Sequence, residues 1–73
     1  MSPADLVLAA LQFQGQTSLN QAYNRLDLDR ATFLEAVEAL CARGVVDLYG
    51  SDPRLDESSA PFAATCYRLE VAV

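Results

Sequence analysis

Residues 18–46 read SLNQAYNRLDLDRATFLEAVEALCARGVV. Ser18 is a helix-capping residue, and Gln21 stands three positions on, where it can reach back to the cap. Leu19, Ala22, Tyr23 and Leu26 share one side of the helix that follows. Asp27-Leu28 reads as a tight turn, and Asp29 caps a second, longer helix. In that helix Phe33, Leu34, Val37, Leu40 and Cys41 form the apolar stripe. Arg43-Gly44 ends it: a cation at the negative end of the helix dipole, then a residue that tolerates positive φ. Val45-Val46 opens a strand. The stretch therefore predicts a short helix, a turn, a long helix and an exit into β-structure.

Upstream, Ser2-Pro3-Ala4-Asp5 has a cap, a proline suited to the first helical position and an acid that can reach back. This predicts a first helix over about 3–14, stopped by Gly15. Ala9, Phe13, Leu6, Ala10, Val7, Leu11 and Leu8 cover most of its wheel, more apolar surface than one core needs. Leu8 and Leu11 are the expected surplus. Either the C-terminal strand covers them, or they form a homodimer or partner contact. Gln16-Thr17 is a short link or a minimal strand. Downstream, strands are expected over 45–49 and 65–73. In the second, Tyr67, Leu69, Val71 and Val73 share one face, and Cys66, Arg68, Glu70 and Ala72 the other. Between them lies GSDPRLDESSAPFAA, residues 50–64, too long for a tight hairpin turn.

The fold class is thus α+β. The chain reads as one domain over 1–73, with helices at about 3–14, 19–26 and 30–43 and a two- or three-stranded antiparallel wing with a long loop. This order resembles the winged-helix (winged helix-turn-helix) superfamily. The resemblance rests on Ser18, Leu19 and Ala22, on Leu28, Asp29 and Phe33 around the turn, and on Leu40 and the Arg43-Gly44-Val45-Val46 exit. These positions keep a fold and do not specify a function. The resemblance implies that helix 30–43 is a recognition helix, whose exposed face in DNA-binding members carries groups for base edges and phosphates.

Charge argues against that use. The chain of 73 residues carries −5, ten acids against five arginines, with no lysine and no histidine. The expected exposed face of helix 30–43 is Ala31, Thr32, Glu35, Ala36, Glu38, Ala39, Ala42 and Arg43, with Arg30 at its flank. Over 29–43 two arginines face three acids, a balance of −1. The loop sets Arg54 against Asp52, Asp56 and Glu57, a balance of −2. Phosphate anchoring supplies much of the affinity for DNA, and here it is thin. The reading that follows is a non-enzymatic, acidic module that acts through protein–protein contacts, as a regulatory or inhibitory subunit. Its interaction face would be Thr32, Glu35, Glu38, Ala39, Ala42, Asp52, Asp56 and Glu57, and its partner a basic or nucleic-acid-binding protein. The alternative is a DNA-binding transcriptional regulator using Arg25, Arg30, Thr32 and Arg54, helped by the amides of Gln16, Asn20, Gln21 and Asn24. A second alternative is a structural subunit of a larger assembly.

Other chemistry is poorly provided for. Without histidine there is no ready general base, and two cysteines fall short of the four ligands of a structural zinc site. No cofactor is expected. Cys41 reads as a small buried hydrophobe and Cys66 as partly exposed. The two unspaced cysteines suit a reducing cytoplasm. The start lacks a basic leader region, and no apolar run reaches membrane-spanning length. The lack of lysine beside twelve alanines is the mark of a GC-rich genome and points to a bacterial or phage source.

Overall fold

The computed structural model describes residues 2–50, 52 and 62–70. Among these residues the chain is a small α+β domain with three helices and a two-stranded antiparallel sheet. The helices are α1 (Pro3–Leu11), α2 (Leu19–Tyr23) and α3 (Arg30–Ala42), and the strands are β1 (Val46–Gly50) and β2 (Thr65–Leu69). β1 pairs with β2 from Val46↔Leu69 to Gly50↔Thr65. The link before α2 touches the far side of β2: Ser18 and Cys66 form an isolated antiparallel bridge, and the Tyr67 amide donates to the Thr17 carbonyl at 3.2 Å. The expected minimal strand at 16–17 is therefore a single bridge one residue later.

Each helix start follows from its local sequence. At α1 the Asp5 amide donates to Ser2 Oγ at 3.4 Å, and the Ser2 amide returns a bond of 3.4 Å to Asp5 Oδ2. At α2 the Gln21 side-chain oxygen accepts from the amides of Ser18 (3.1 Å) and Thr17 (2.7 Å). At α3 Asp29 accepts from the Thr32 amide at 3.3 Å, and the Thr32 hydroxyl also donates to it. This pairing with Thr32, through its hydroxyl and then its amide, holds the Asp29 carboxyl below its ordinary pKa. α3 closes as a Schellman motif at Gly44 (φ +75°), with the Val45 amide donating to the Leu40 carbonyl (3.1 Å) and that of Gly44 to Cys41 (3.0 Å).

Two helices stop earlier than expected. α1 ends at Leu11, not near 14, because side chains occupy the carbonyls of its last turn. Gln16 Nε2 donates to the Ala10 carbonyl at 2.9 Å, and the Tyr67 hydroxyl donates to that of Leu11. α2 ends at Tyr23, but the chain to Leu26 continues in tighter turns, with Arg25 bonded to Ala22 and Leu26 to Tyr23. β1 is shifted by one residue from the expected 45–49. β2 is described to Leu69, and residues 71–73 of the expected strand lie outside the described residues.

The core is built on Val7, Ala10 and Leu11 of α1, Leu19 and Ala22 of α2, and Phe33, Ala36, Val37 and Leu40 of α3. Val46, Phe62 and Tyr67 complete it. Three expectations are corrected here. Leu11, taken as surplus for a dimer, is 1% exposed and belongs to the chain's own core; Leu8 is half-buried against that core. Ala36, placed on the exposed face of α3, is buried, because α1 packs on α3 and the alanine methyl permits close approach. Leu34 and Cys41, placed in the buried stripe, are half-buried at its margins. Among the described residues α1 packs mainly against α3 and α2, and residues 71–73 of the strand expected to cover it lie outside them.

Phe62 packs into the core three residues before β2. Its ring is fully buried in an aromatic trio, with centroids 5.2 Å from Tyr23 and 5.1 Å from Phe33, which are themselves 5.0 Å apart. Its backbone has φ +65°, a left-handed conformation that side chains other than glycine adopt at a cost. Burial of the ring, worth about 1.5–3 kcal/mol, offsets that cost.

Candidate functional site

The face expected to meet a partner is largely assembled on α3. Glu35, Glu38, Ala39 and Ala42 are exposed and share one side of the helix. Thr32 is half-buried at its N-terminal end, and its hydroxyl is engaged by Asp29. Between this face and the start of α1 runs a groove of about 280 Å³, floored by Pro3, Ala4, Ala36 and Ala39 and edged by Glu35. Asp52 is half-buried. Asp56, Glu57 and Arg54 lie outside the described residues, so the loop's share of either candidate face has no geometry here.

Of the four described arginines, Arg68, Arg30 and Arg25 have partners within the fold. Arg68 bridges Asp47 (3.0 Å) and Glu70 (3.2 Å) on the outer sheet surface. The hydrogen bond that it donates to Asp47, then the charges of Glu70 and Asp47, raise its pKa further. Arg30 is half-buried, with its guanidinium 5.7 Å from the centre of the Phe62 ring. Arg25 is exposed and stacks on Phe13 at 4.1 Å, while its Nε donates to Gln16 Oε1 at 2.6 Å. Arg43 is exposed at the end of α3.

The amides expected to help at phosphates are likewise used within the fold. Gln21 caps α2, Asn24 donates to Asn20 at 3.1 Å, and Gln16 links Arg25 to Ala10 and to the Tyr67 hydroxyl (3.0 Å). The thiols of Cys41 and Cys66 are free and half-buried. Burial, then the charges of Asp47 and Glu38, push the Cys41 thiol up in pKa, away from the thiolate that reactive cysteines need. Among the described residues no group of three His, Cys, Asp or Glu is placed to hold a metal, and no helix is long and apolar enough to cross a membrane.

Sequence reasoning did not find the Phe13–Arg25–Gln16 cluster. Phe13 was read as helical and therefore as a candidate to pack, whereas it lies beyond the end of α1 and is 53% exposed. Its contact with Arg25 spans twelve positions and depends on where α2 turns, for which the sequence has no periodic signal. Comparison with family models, with curated proteins and with solved structures gives no match.

Proposed function

We propose that this chain is a non-enzymatic interaction module on a winged-helix frame, which uses the exposed face of α3 against a basic protein partner. The winged-helix reading is supported by the element order, the short turn between α2 and α3, and the contact of the 17–18 link with β2. The observation that carries the functional reading is the character of the α3 face. Glu35 and Glu38 stand exposed beside Ala39 and Ala42, with Arg43 the one cation at the end of that face among the described residues, while Arg68 is paired with Asp47 and Glu70 and Arg25 lies on another surface beside Phe13. Small side chains allow close approach of a partner, and the two carboxylates favour a cationic one, with association that slows as salt rises. A duplex laid on the same face would meet repulsion where DNA-binding proteins place cations.

Two measurements test this reading. The first is fluorescence anisotropy of a labelled random duplex, titrated from low to physiological salt. No binding at low salt is expected; tight binding with a steep salt slope overturns the reading in favour of direct DNA contact. The second is a matched retention experiment from source cells with wild type and the Glu35→Arg, Glu38→Arg double variant. A protein held by wild type and released by the double variant is the expected result. Equal retention removes the α3 face from the account. Both substitutions are at exposed positions, so the variant should fold as wild type does.

A further inference from the structure

A second surface of the molecule has the opposite character. Outside α1 a groove of about 410 Å³ is lined by Leu6, Ala9, Ala10, Phe13, Arg25 and Leu26. Leu6 is 36% exposed and Phe13 53%, among the largest apolar side chains the chain leaves to solvent. The one charged group at this rim is Arg25, in a chain whose formal charge is −5.

Arg25 is held in place by two contacts. Its Nε donates to Gln16 Oε1 at 2.6 Å, and its guanidinium plane lies over Phe13 at 4.1 Å. Gln16 is itself fixed by donating to the Ala10 carbonyl (2.9 Å) and to the Tyr67 hydroxyl (3.0 Å), which donates onward to Leu11. A chain of hydrogen bonds thus runs from the core to this arginine. The Nη edge has no hydrogen bond or ion pair among the described residues, in contrast to Arg68, which sits between two carboxylates. A guanidinium ordered in this way loses little freedom when it binds, and its open edge matches the two oxygens of a carboxylate.

We propose that the groove along α1 is a docking site for a partner peptide that presents an apolar side chain one helical turn from a carboxylate. The apolar side chain would fill the floor made by Leu6, Ala9 and Leu26, and the carboxylate would take the Nη edge of Arg25. Charge complementarity selects the acid. The apolar floor selects a peptide over a nucleic-acid backbone, which would bring only phosphate and leave Leu6 and Phe13 uncovered. The nearby amides that might have added phosphate contacts are committed within the fold, Gln21 at its cap and Asn24 to Asn20. This site goes beyond the α3 reading and is spatially separate from Glu35 and Glu38, so each can fail without the other.

The test is a titration of the isotope-labelled full chain, followed by magnetic resonance, with two short helical peptides. One carries leucine and glutamate one turn apart, and the other has lysine in place of glutamate. The glutamate peptide is expected to shift the amides of Leu6, Ala9, Phe13 and Leu26 and the Nε–H of Arg25. The lysine peptide should bind about fivefold more weakly, the upper end for an exposed charge pair. Arg25→Glu should reverse the preference, and that reversal cannot come from loss of folding. The Glu35→Arg, Glu38→Arg variant should bind the glutamate peptide as wild type does. Equal affinity for the two peptides, shifts confined to other surfaces, or an Arg25→Glu variant with unchanged preference each overturns the proposal. So does self-association through this face in the absence of peptide, which would assign the groove to a second copy of the chain.

Discussion

Phe13 and Phe62 are the same side chain with opposite fates. Phe13 follows a helix with strong apolar character, yet it lies open to solvent beneath an arginine. Phe62 follows a polar, proline-containing stretch of sequence, yet it is fully buried between Tyr23 and Phe33. Hydrophobicity does not separate them. What separates them is where the backbone stops being regular. At Phe13 the helix has ended and the side chain has rotated off the packed face. At Phe62 the chain takes φ +65° so that the ring can point inward. A residue just outside a regular element is placed by the particular bonds that end or begin that element, and these come from residues distant in sequence.

The largest effect expected from this contrast is on Phe62. Phe62→Ala removes a fully buried ring and should cost about 3–5 kcal/mol. In a domain of this size that lowers the thermal midpoint by about 12 °C or more, read by circular dichroism. Phe62→Gly removes the same ring but relieves the left-handed backbone. It should be no less stable than Phe62→Ala, the reverse of the usual order of these two residues. A midpoint for Phe62→Ala within a few degrees of wild type would mean that the aromatic trio does not depend on the loop.

A smaller effect is expected where the sheet meets the end of α1. The Tyr67 hydroxyl donates to the Leu11 carbonyl and accepts from Gln16. Tyr67→Phe keeps the shape and strips both bonds, at a cost of about 1–2 kcal/mol in the denaturant midpoint. It also frees the Leu11 carbonyl to accept from the Gly15 amide, so that amide should gain protection from hydrogen exchange as the helix lengthens toward Phe13. An unchanged midpoint together with unchanged exchange would show that the hydroxyl does not set the stop, and the account of why Phe13 is exposed would need another cause.

The same contrast shows what was legible in the sequence. Element order and starts were readable because capping residues act within three or four positions: Ser2 with Asp5, Gln21 with Ser18, Asp29 with Thr32. The buried side of β2 at Tyr67 was readable from strict alternation, and most of the α3 stripe from its helical period. The end of α1 was not, because Gln16 and Tyr67 determine it, and Tyr67 lies more than fifty positions away. Leu11 was misplaced for a related reason. An all-round apolar wheel does not say which arc faces the core until the neighbouring helices are placed. Ala36 falls outside the stripe of large apolar residues on helix 30–43, although helix packing favours small residues where axes approach. Of the residues of the candidate face, the exposure of Glu35, Glu38, Ala39 and Ala42 could be drawn in advance because they lie on one helix, while Asp56 and Glu57 lie outside the described residues. The groove at Arg25 could not, because it joins α1, the link at Gln16 and the turn after α2.

The smallest effect on stability is expected at Phe13, and there the contrast is most informative. Phe13→Ser removes an exposed ring and one stacked cation, so the midpoint should move by less than about 1 kcal/mol. Stability is the wrong property in which to look for its role. The ring orients Arg25 and walls the apolar groove, so its loss should weaken the glutamate peptide while leaving the fold intact. The preference for glutamate over lysine should narrow as well, because a guanidinium released from its stack samples more orientations. If the variant proved as unstable as Phe62→Ala, Phe13 would be a core residue at the edge of α1, and the groove would be an accident of packing. If it bound the glutamate peptide with wild-type affinity and preference, Gln16 alone would position Arg25. A side chain whose removal costs binding but not folding is the pattern expected of an exposed aromatic retained for contact, and Phe62 supplies the internal standard against which it is measured.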